Sequence, residues 1–167
     1  MDLQKNSLIM PELQNTDKIP VQNINILLVD DDADDRDFFR QAVLDSGIEA
    51  ELTAVEDGQE LIAFLLDPED PAAPDVIFLD LNMPGMDGKA CLLEIRLQPK
   101  FSATPVIILS TSNRLKDIDE TYRGGANVYI SKTVFYTNSA QWIRELFPPD
   151  WQTVLKYPSR DRFVLTF

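Results

Sequence analysis

Four places in the chain carry residues that could do chemistry together. Asp30-Asp31-Asp32 follows the apolar run "NILLV", Asp80 follows "VIFL", Ser110 follows "PVIIL" and Lys132 follows "NVYIS". Taken alone, a charge run such as Asp30–Asp35 reads as a solvated face. Brought to one place, the set changes character. Two like unit charges about 4 Å apart cost roughly 4 kcal/mol at an effective dielectric near 20, so crowded carboxylates call for a hard divalent cation. Mg2+ takes one or two carboxylates, a carbonyl and several waters, usually beside phosphate oxygens. A metal, an ammonium and a hydroxyl are the parts that stabilise a transferring phosphoryl group. A carboxylate can accept that group as an aspartyl phosphate.

The elements that must position these residues are legible as alternating apolar runs and amphipathic stretches. Asn25–Val29, Glu51–Val55, Asp75–Leu79, Pro105–Leu109 and Asn127–Ser131 read as strands. Asp34–Ser46, Gln59–Leu66, Gly88–Gln98, Leu115–Arg123 and Asn138–Phe147 read as helices. Asp34 can cap the first helix and Gly47 can end it, while Gly124-Gly125 can close the fourth. The prolines of "DPEDPAAPD" make that stretch a loop. Strand then helix, repeated five times, predicts a parallel sheet with helices on both faces. Such a doubly wound sheet puts its functional site outside the carboxyl ends of its strands. All four places named above fall on that edge.

With order and spacing added, "ILLVDDDADDR", "FLDLNMPGMDG", "VIILSTS" and "YISK" resemble the receiver domain of two-component response regulators, of the single-domain, chemotaxis-receiver type. The resemblance runs from about Ile24 to Phe147. It implies a flavodoxin-like α/β fold, a five-stranded parallel sheet in the order 2-1-3-4-5 with helices on both faces. It implies that Asp80 is the phosphoacceptor and that Mg2+ is bound by Asp31 and Asp80, the backbone carbonyl of Asn82, and Asp30 through water. Ser110 matches the hydroxyl that moves to the phosphoryl group, and Lys132 the lysine that pairs with it. Tyr129 matches the aromatic that swings inward with that hydroxyl; an aromatic in a last strand also serves simply as core. Pro84-Gly85 makes the turn behind Asp80, Gly88 allows close backbone approach, and Cys91 is a small core hydrophobe. One departure stands out. Receivers usually carry Lys-Pro after the last strand, with that bond cis, whereas Thr133 follows Lys132 here. A non-proline cis bond costs about 2.5–4 kcal/mol. The expectation is therefore a trans bond, a Lys132 still directed at Asp80, and an atypical path for "TVFYTNS".

Composition bounds the partners. The chain has 167 residues and a net charge of -13, from 15 Lys+Arg against 28 Asp+Glu. That balance argues against nucleic acid and against anionic membranes. With no histidine in the chain, the phosphoryl donor must be a phosphohistidine on a partner, a histidine kinase or a histidine phosphotransfer protein. The output would be altered binding of a downstream protein through the face around Leu115–Phe147, and a homodimer stays open. One cysteine and the lack of an apolar leader point to a cytoplasmic protein. Residues 1–23 read as a flexible tail, 24–147 as the receiver and 148–167 as an extension without an output domain. That extension is apolar enough either to fold back on its own domain or to dock on a second subunit or partner. The chain would be no enzyme beyond its own phosphorylation and dephosphorylation. Two alternatives share the fold's logic. A haloacid dehalogenase-like phosphotransfer enzyme also uses a strand-end Asp and Mg2+, but Asn82 stands where its general acid would be. The other is an interaction domain of this fold that is never phosphorylated.

Overall fold

The computed structural model describes residues 23–67, 73–156 and 159–165. The chain runs β1 (Ile24–Val29), α1 (Ala33–Ser46), β2 (Ala50–Val55), α2 (Gly58–Leu66), β3 (Val76–Leu79), α3 (Gly88–Leu97) and β4 (Val106–Ser110). It continues with α4 (Leu115–Arg123), β5 (Val128–Ser131), α5 (Lys132–Thr137), α6 (Ser139–Leu146), α7 (Trp151–Lys156), α8 (Arg160–Phe163) and β6 (Val164–Leu165). All strand pairs are parallel, in the order β2-β1-β3-β4-β5-β6.

The central strands are continuous apolar runs because both of their faces are covered. Ile26, Leu28, Phe78 and Ile107 point to one side and pack with Phe39, Val43, Trp142 and Ile143 of α1 and α6. Leu27, Val29, Ile77, Leu79 and Ile108 point to the other and pack with Leu61, Leu65, Cys91, Leu92 and Ile95 of α2 and α3. Successive residues of a strand thus feed opposite cores, as the pleat requires. The first helix starts one residue earlier than expected: Asp32, not Asp34, is its cap, accepting from the Asp34 and Asp35 amides.

Two segments depart from the expected layout. Thr133–Asn138, expected to be an irregular loop, belongs mostly to α5, which begins at Lys132 itself. No Pro or Gly interrupts Lys132–Thr137. Phe135 is fully buried and stacks on Phe39, with ring centroids 5.7 Å apart. No described peptide bond is cis, Lys132-Thr133 included. The second departure is a sixth strand. Residues 148–165, so far as they are described, fold back on their own domain: Trp151 and Leu155 bury against the α1–α6 face. The Asn127 side-chain amide donates to the Leu155 carbonyl at 2.7 Å. β6 then pairs with β5, Tyr129 opposite Val164 and Ile130 opposite Leu165. A bare β5 would leave a row of unpaired amides and carbonyls at the sheet edge, and the apolar tail covers it. The expected flexible N-terminal tail lies outside the described residues, save Asn23.

Phe163 anchors this tail. It is fully buried, with ring centroids 5.0 Å from Tyr122 of α4 and 6.2 Å from Tyr129 of β5. Arg160 lies over the Tyr122 ring, 4.8 Å from its centroid, and pairs with Asp119. Truncating a buried Phe costs about 3–5 kcal/mol when the site cannot collapse. Here the loss is capped by the free energy of docking the tail, since the tail can detach from a folded domain. Phe163→Ala is therefore expected to lower stability in urea by about 3 kcal/mol, the low end of that range. A drop below about 1 kcal/mol would mean the anchor is dispensable.

Candidate functional site: an acidic edge with one ammonium

β1, β3, β4 and β5 end side by side, and the four places singled out in the sequence meet there. Asp30 and Asp80 extend their strands by one backbone hydrogen bond each, to the Val55 carbonyl at 3.2 Å and the Val29 carbonyl at 2.9 Å. Both are buried, as are Ser110 and Lys132. Asp31 is exposed. The Lys132 Nζ stands 2.8 Å from Asp30 Oδ2 and 2.9 Å from Asp80 Oδ2. The other Asp80 oxygen, Oδ1, accepts the Asn82 amide at 3.1 Å, which fixes the plane of the carboxylate. Asp30 Oδ1 accepts the Asp32 amide in the same way, at 3.1 Å.

The loop behind Asp80 is closed by two glycines with different roles. Gly85 takes φ 78 in the turn, a conformation that costs Gly little. Gly88 sits where a Cβ would fall 2.1 Å from the Asp80 carbonyl oxygen. Backbone passes over backbone there, so no side chain fits. The Gly88 amide closes the loop onto the Leu81 carbonyl at 3.1 Å.

Ser110 Oγ accepts from the Ser112 amide at 3.2 Å and from the Asn82 side-chain amide at 3.3 Å. The same Asn82 amide donates to Thr111 Oγ1 at 2.9 Å. Tyr129 is already turned inward and buried, and its hydroxyl donates to the Ser112 carbonyl at 2.7 Å. Burial raises its phenol, with hydrogen bonds from Ser110 and Ser112 offsetting part of the effect.

Asp30, Asp31 and Asp80 each place a carboxylate oxygen within 4.8 Å of the other two. The donor set is all hard oxygen with no nitrogen or sulfur, which suits a divalent cation of the Mg2+ or Mn2+ kind. Burial disfavours the charged form of Lys132, but hydrogen bonds to Asp30, Asp35 and Asp80 outweigh it and hold the ammonium above the ordinary lysine range. Burial likewise raises the Asp30 carboxyl, and Lys132 offsets only part of that.

The response regulator receiver domain family matches residues 26–141, most of the chain. The chain belongs to that family. Response regulator Rcp1 of Synechocystis sp. is 35% identical over 111 residues, covering 65% of this chain and 76% of Rcp1. Two-component response regulator ORR8 of Oryza sativa subsp. indica is 34% identical over 110 residues, covering 66% of this chain and 87% of its own length. Among solved structures, the phosphorylated cyanobacterial phytochrome response regulator RcpA superposes with a TM-score of 0.67 at 34% identity, covering 75% of this chain and 91% of RcpA. The Mn2+-bound form of Rcp1 also gives 0.67, at 29% identity, covering 81% of this chain and 99% of Rcp1. The receiver fold, flavodoxin-like with a parallel sheet, thus stands on sequence and on structure. Receivers are signalling domains that histidine kinases phosphorylate, not enzymes of the ordinary kind. No described helix of this receiver is long and apolar enough to cross a membrane.

Two residues of the site escape a reading of the sequence. Asp35, in the first turn of α1, is a third partner of Lys132, with Oδ2 at 2.7 Å. Burial raises its carboxyl, but Lys132 and the Tyr136 hydroxyl outweigh that and keep it below the usual carboxylate range. Asp117 on α4 is buried and bonded to Lys89 of α3 at 2.7 Å, to Arg114 at 2.7 Å and to the Ser112 hydroxyl. Lys89 first, and then Ser112, hold it well below that range. Asp117 therefore ties the loop after Ser110 to both α3 and α4. For Asp35 the only hint in the sequence is its place in the acidic run; Asp117 gives none.

Proposed function

We propose that Asp80 is the phosphoacceptor of this receiver, with Lys132 and Ser110 as its partners and Asp30, Asp31, Asp80 and the Asn82 carbonyl as the cation ligands. The observation that carries this reading is the Lys132 ammonium held 2.9 Å from an Asp80 oxygen, beside two further carboxylates. Asp80 attacks the phosphorus of a partner's phosphohistidine. The Asp80 O–P bond forms as the N–P bond breaks, and the electron pair returns to the imidazole nitrogen, which takes up a proton. Lys132 neutralises charge on the transferring oxygens, and the Ser110 hydroxyl donates to one of them once it turns from its present partners. Mg2+ held by Asp30, Asp31, Asp80 and the Asn82 carbonyl would supply further positive charge to the transferring group. The family match and the intact set argue against the haloacid dehalogenase alternative, and against an interaction domain that is never phosphorylated.

The output is altered protein binding, with Tyr129 and the loop around Ser112 as the part that changes state. The phosphoryl group biases the equilibrium only by contacts it makes in one state. Residues 24–147 form the receiver and 148–167 a C-terminal extension. The cation is Mg2+, the donor is a histidine kinase or a histidine phosphotransfer protein, and the compartment is the cytoplasm. The chain loses its own phosphoryl group to water without turning over a separate substrate.

The test uses phosphoramidate and Mg2+. One acid-labile phosphoryl group per chain is expected by intact mass, mapping to the peptide that contains Asp80, and a chelator in excess should abolish it. Labelling that persists with the chelator would remove the metal from the reading. A label on any other peptide would remove Asp80.

A further inference from the structure

We propose that Asp35 is a positioning residue that fixes the Lys132 ammonium for phosphoryl transfer to Asp80. The proposal rests on the reading that Asp80 takes the phosphoryl group. Lys132 has three carboxylate partners: Asp30 at 2.8 Å, Asp80 at 2.9 Å and Asp35 at 2.7 Å. The first two belong to the trio whose oxygens converge for a cation. During transfer those two carboxylates would gain other partners, a cation among Asp30, Asp31 and Asp80 and the phosphoryl group on Asp80. Asp35 stands outside the trio, on α1 rather than on a strand end. It is the partner that Lys132 keeps throughout.

A lysine side chain carries up to about 2 kcal/mol of rotamer entropy. An ammonium held at one point before the reaction starts contributes more to the transition state than one that must be gathered in. Asp35 is itself held. The helix that carries it, α1, is clamped to α5 by aromatic contacts. Tyr136 follows Lys132 by four positions on α5, so both project from one side of that helix. The Tyr136 ring is wedged by Phe38 of α1, with centroids 4.7 Å apart in an edge-on contact. Phe135, the neighbour of Tyr136, stacks on Phe39 at 5.7 Å. Two aromatic pairs thus clamp α5 on α1, and the Lys132–Asp35 ion pair crosses the same seam. The helical path of Lys132–Thr137, where a loop was expected, puts Lys132 and the clamping aromatics on one helix.

The experiment follows the rate of phosphoryl uptake from phosphoramidate at saturating Mg2+ by intact mass. Wild type, Asp35→Asn and Asp35→Glu are compared. Thermal midpoints and Mg2+ affinity by calorimetry are measured in parallel. Asp35→Asn is expected to slow uptake about tenfold while Mg2+ affinity stays within about twofold. Asp35→Glu recovers part of the rate. Uptake by Asp35→Asn at the wild-type rate overturns the proposal. So does a rate loss that Mg2+ affinity or the thermal midpoint tracks, or one that Asp35→Glu does not relieve; these mark Asp35 as a structural support. If wild type itself takes no label, the phosphoacceptor reading fails and the inference with it. If wild type is labelled and Asp35→Asn matches it, the inference alone fails.

Discussion

Asp80→Asn takes up no acid-labile phosphoryl group under conditions in which the wild-type chain takes up one. The substitution removes the proposed nucleophile and little else. An amide has the shape of the carboxylate, its oxygen can still accept the Asn82 amide that now stands 3.1 Å from Oδ1, and the strand-end hydrogen bond to the Val29 carbonyl is made by the backbone. What disappears is the negative charge and the reactive lone pair at the point the Lys132 ammonium faces, 2.9 Å away. One of the carboxylates crowded at the sheet edge is gone too. The variant is therefore expected to be no less stable than wild type by urea denaturation, so absent label cannot be blamed on unfolding. Equal labelling of the two proteins by intact mass would sink the assignment.

Lys132→Ala is expected to show the largest combined loss of rate and stability. Its ammonium is the shared partner of Asp30, Asp35 and Asp80, all within 2.9 Å, and it is almost wholly buried. Removing one preorganised charge aimed at a developing transition state costs about 10²–10³ in rate, and phosphoryl uptake should fall by that factor. The fold also suffers. Breaking a buried ion pair from one side costs about 3–5 kcal/mol, because the Asp30 and Asp80 carboxylates are left buried without Lys132. A divalent cation binds only the folded arrangement of these carboxylates, so Mg2+ in excess should restore part of the loss by mass action. Urea denaturation of both proteins with and without Mg2+ measures this. A variant labelled within about threefold of wild type would remove Lys132 from the chemistry.

Much of the site was legible because strand ends are. A run such as Val76–Leu79 is apolar throughout, so it reads as a strand buried on both faces, and the carboxylate that follows must emerge at the sheet edge. Gly88 was legible for a related reason: a glycine opening a helix just behind a tight turn marks backbone too close for a side chain, and the 2.1 Å approach to the Asp80 carbonyl is that case. Helix rotation was not legible. Asp34 and Asp35 are neighbours in one acidic run, yet Asp35 bonds a lysine 97 residues away, while the Asp34 side chain is left exposed to solvent. Which of the two turns inward depends on how α1 packs against α5 and α6.

The amino-acid sequence by itself determined that the chain alternates strand and helix, that the sheet is parallel, and that Asp30, Asp31, Asp80, Ser110 and Lys132 share one edge. The reason is connectivity. Right-handed crossovers return every strand in the same direction, so every carboxyl end arrives on the same side. Only the tertiary structure decided three things: that Asp35 completes the surroundings of Lys132, that Asp117 is buried beneath the Ser112 loop, and that the C-terminal tail becomes a sixth strand with Phe163 packed between Tyr122 and Tyr129. Each of these joins residues from elements with no local pattern in common. Their meeting is set by how whole helices and a tail settle on the sheet, where buried apolar area and a few charged hydrogen bonds select one packing among several that the same local propensities permit.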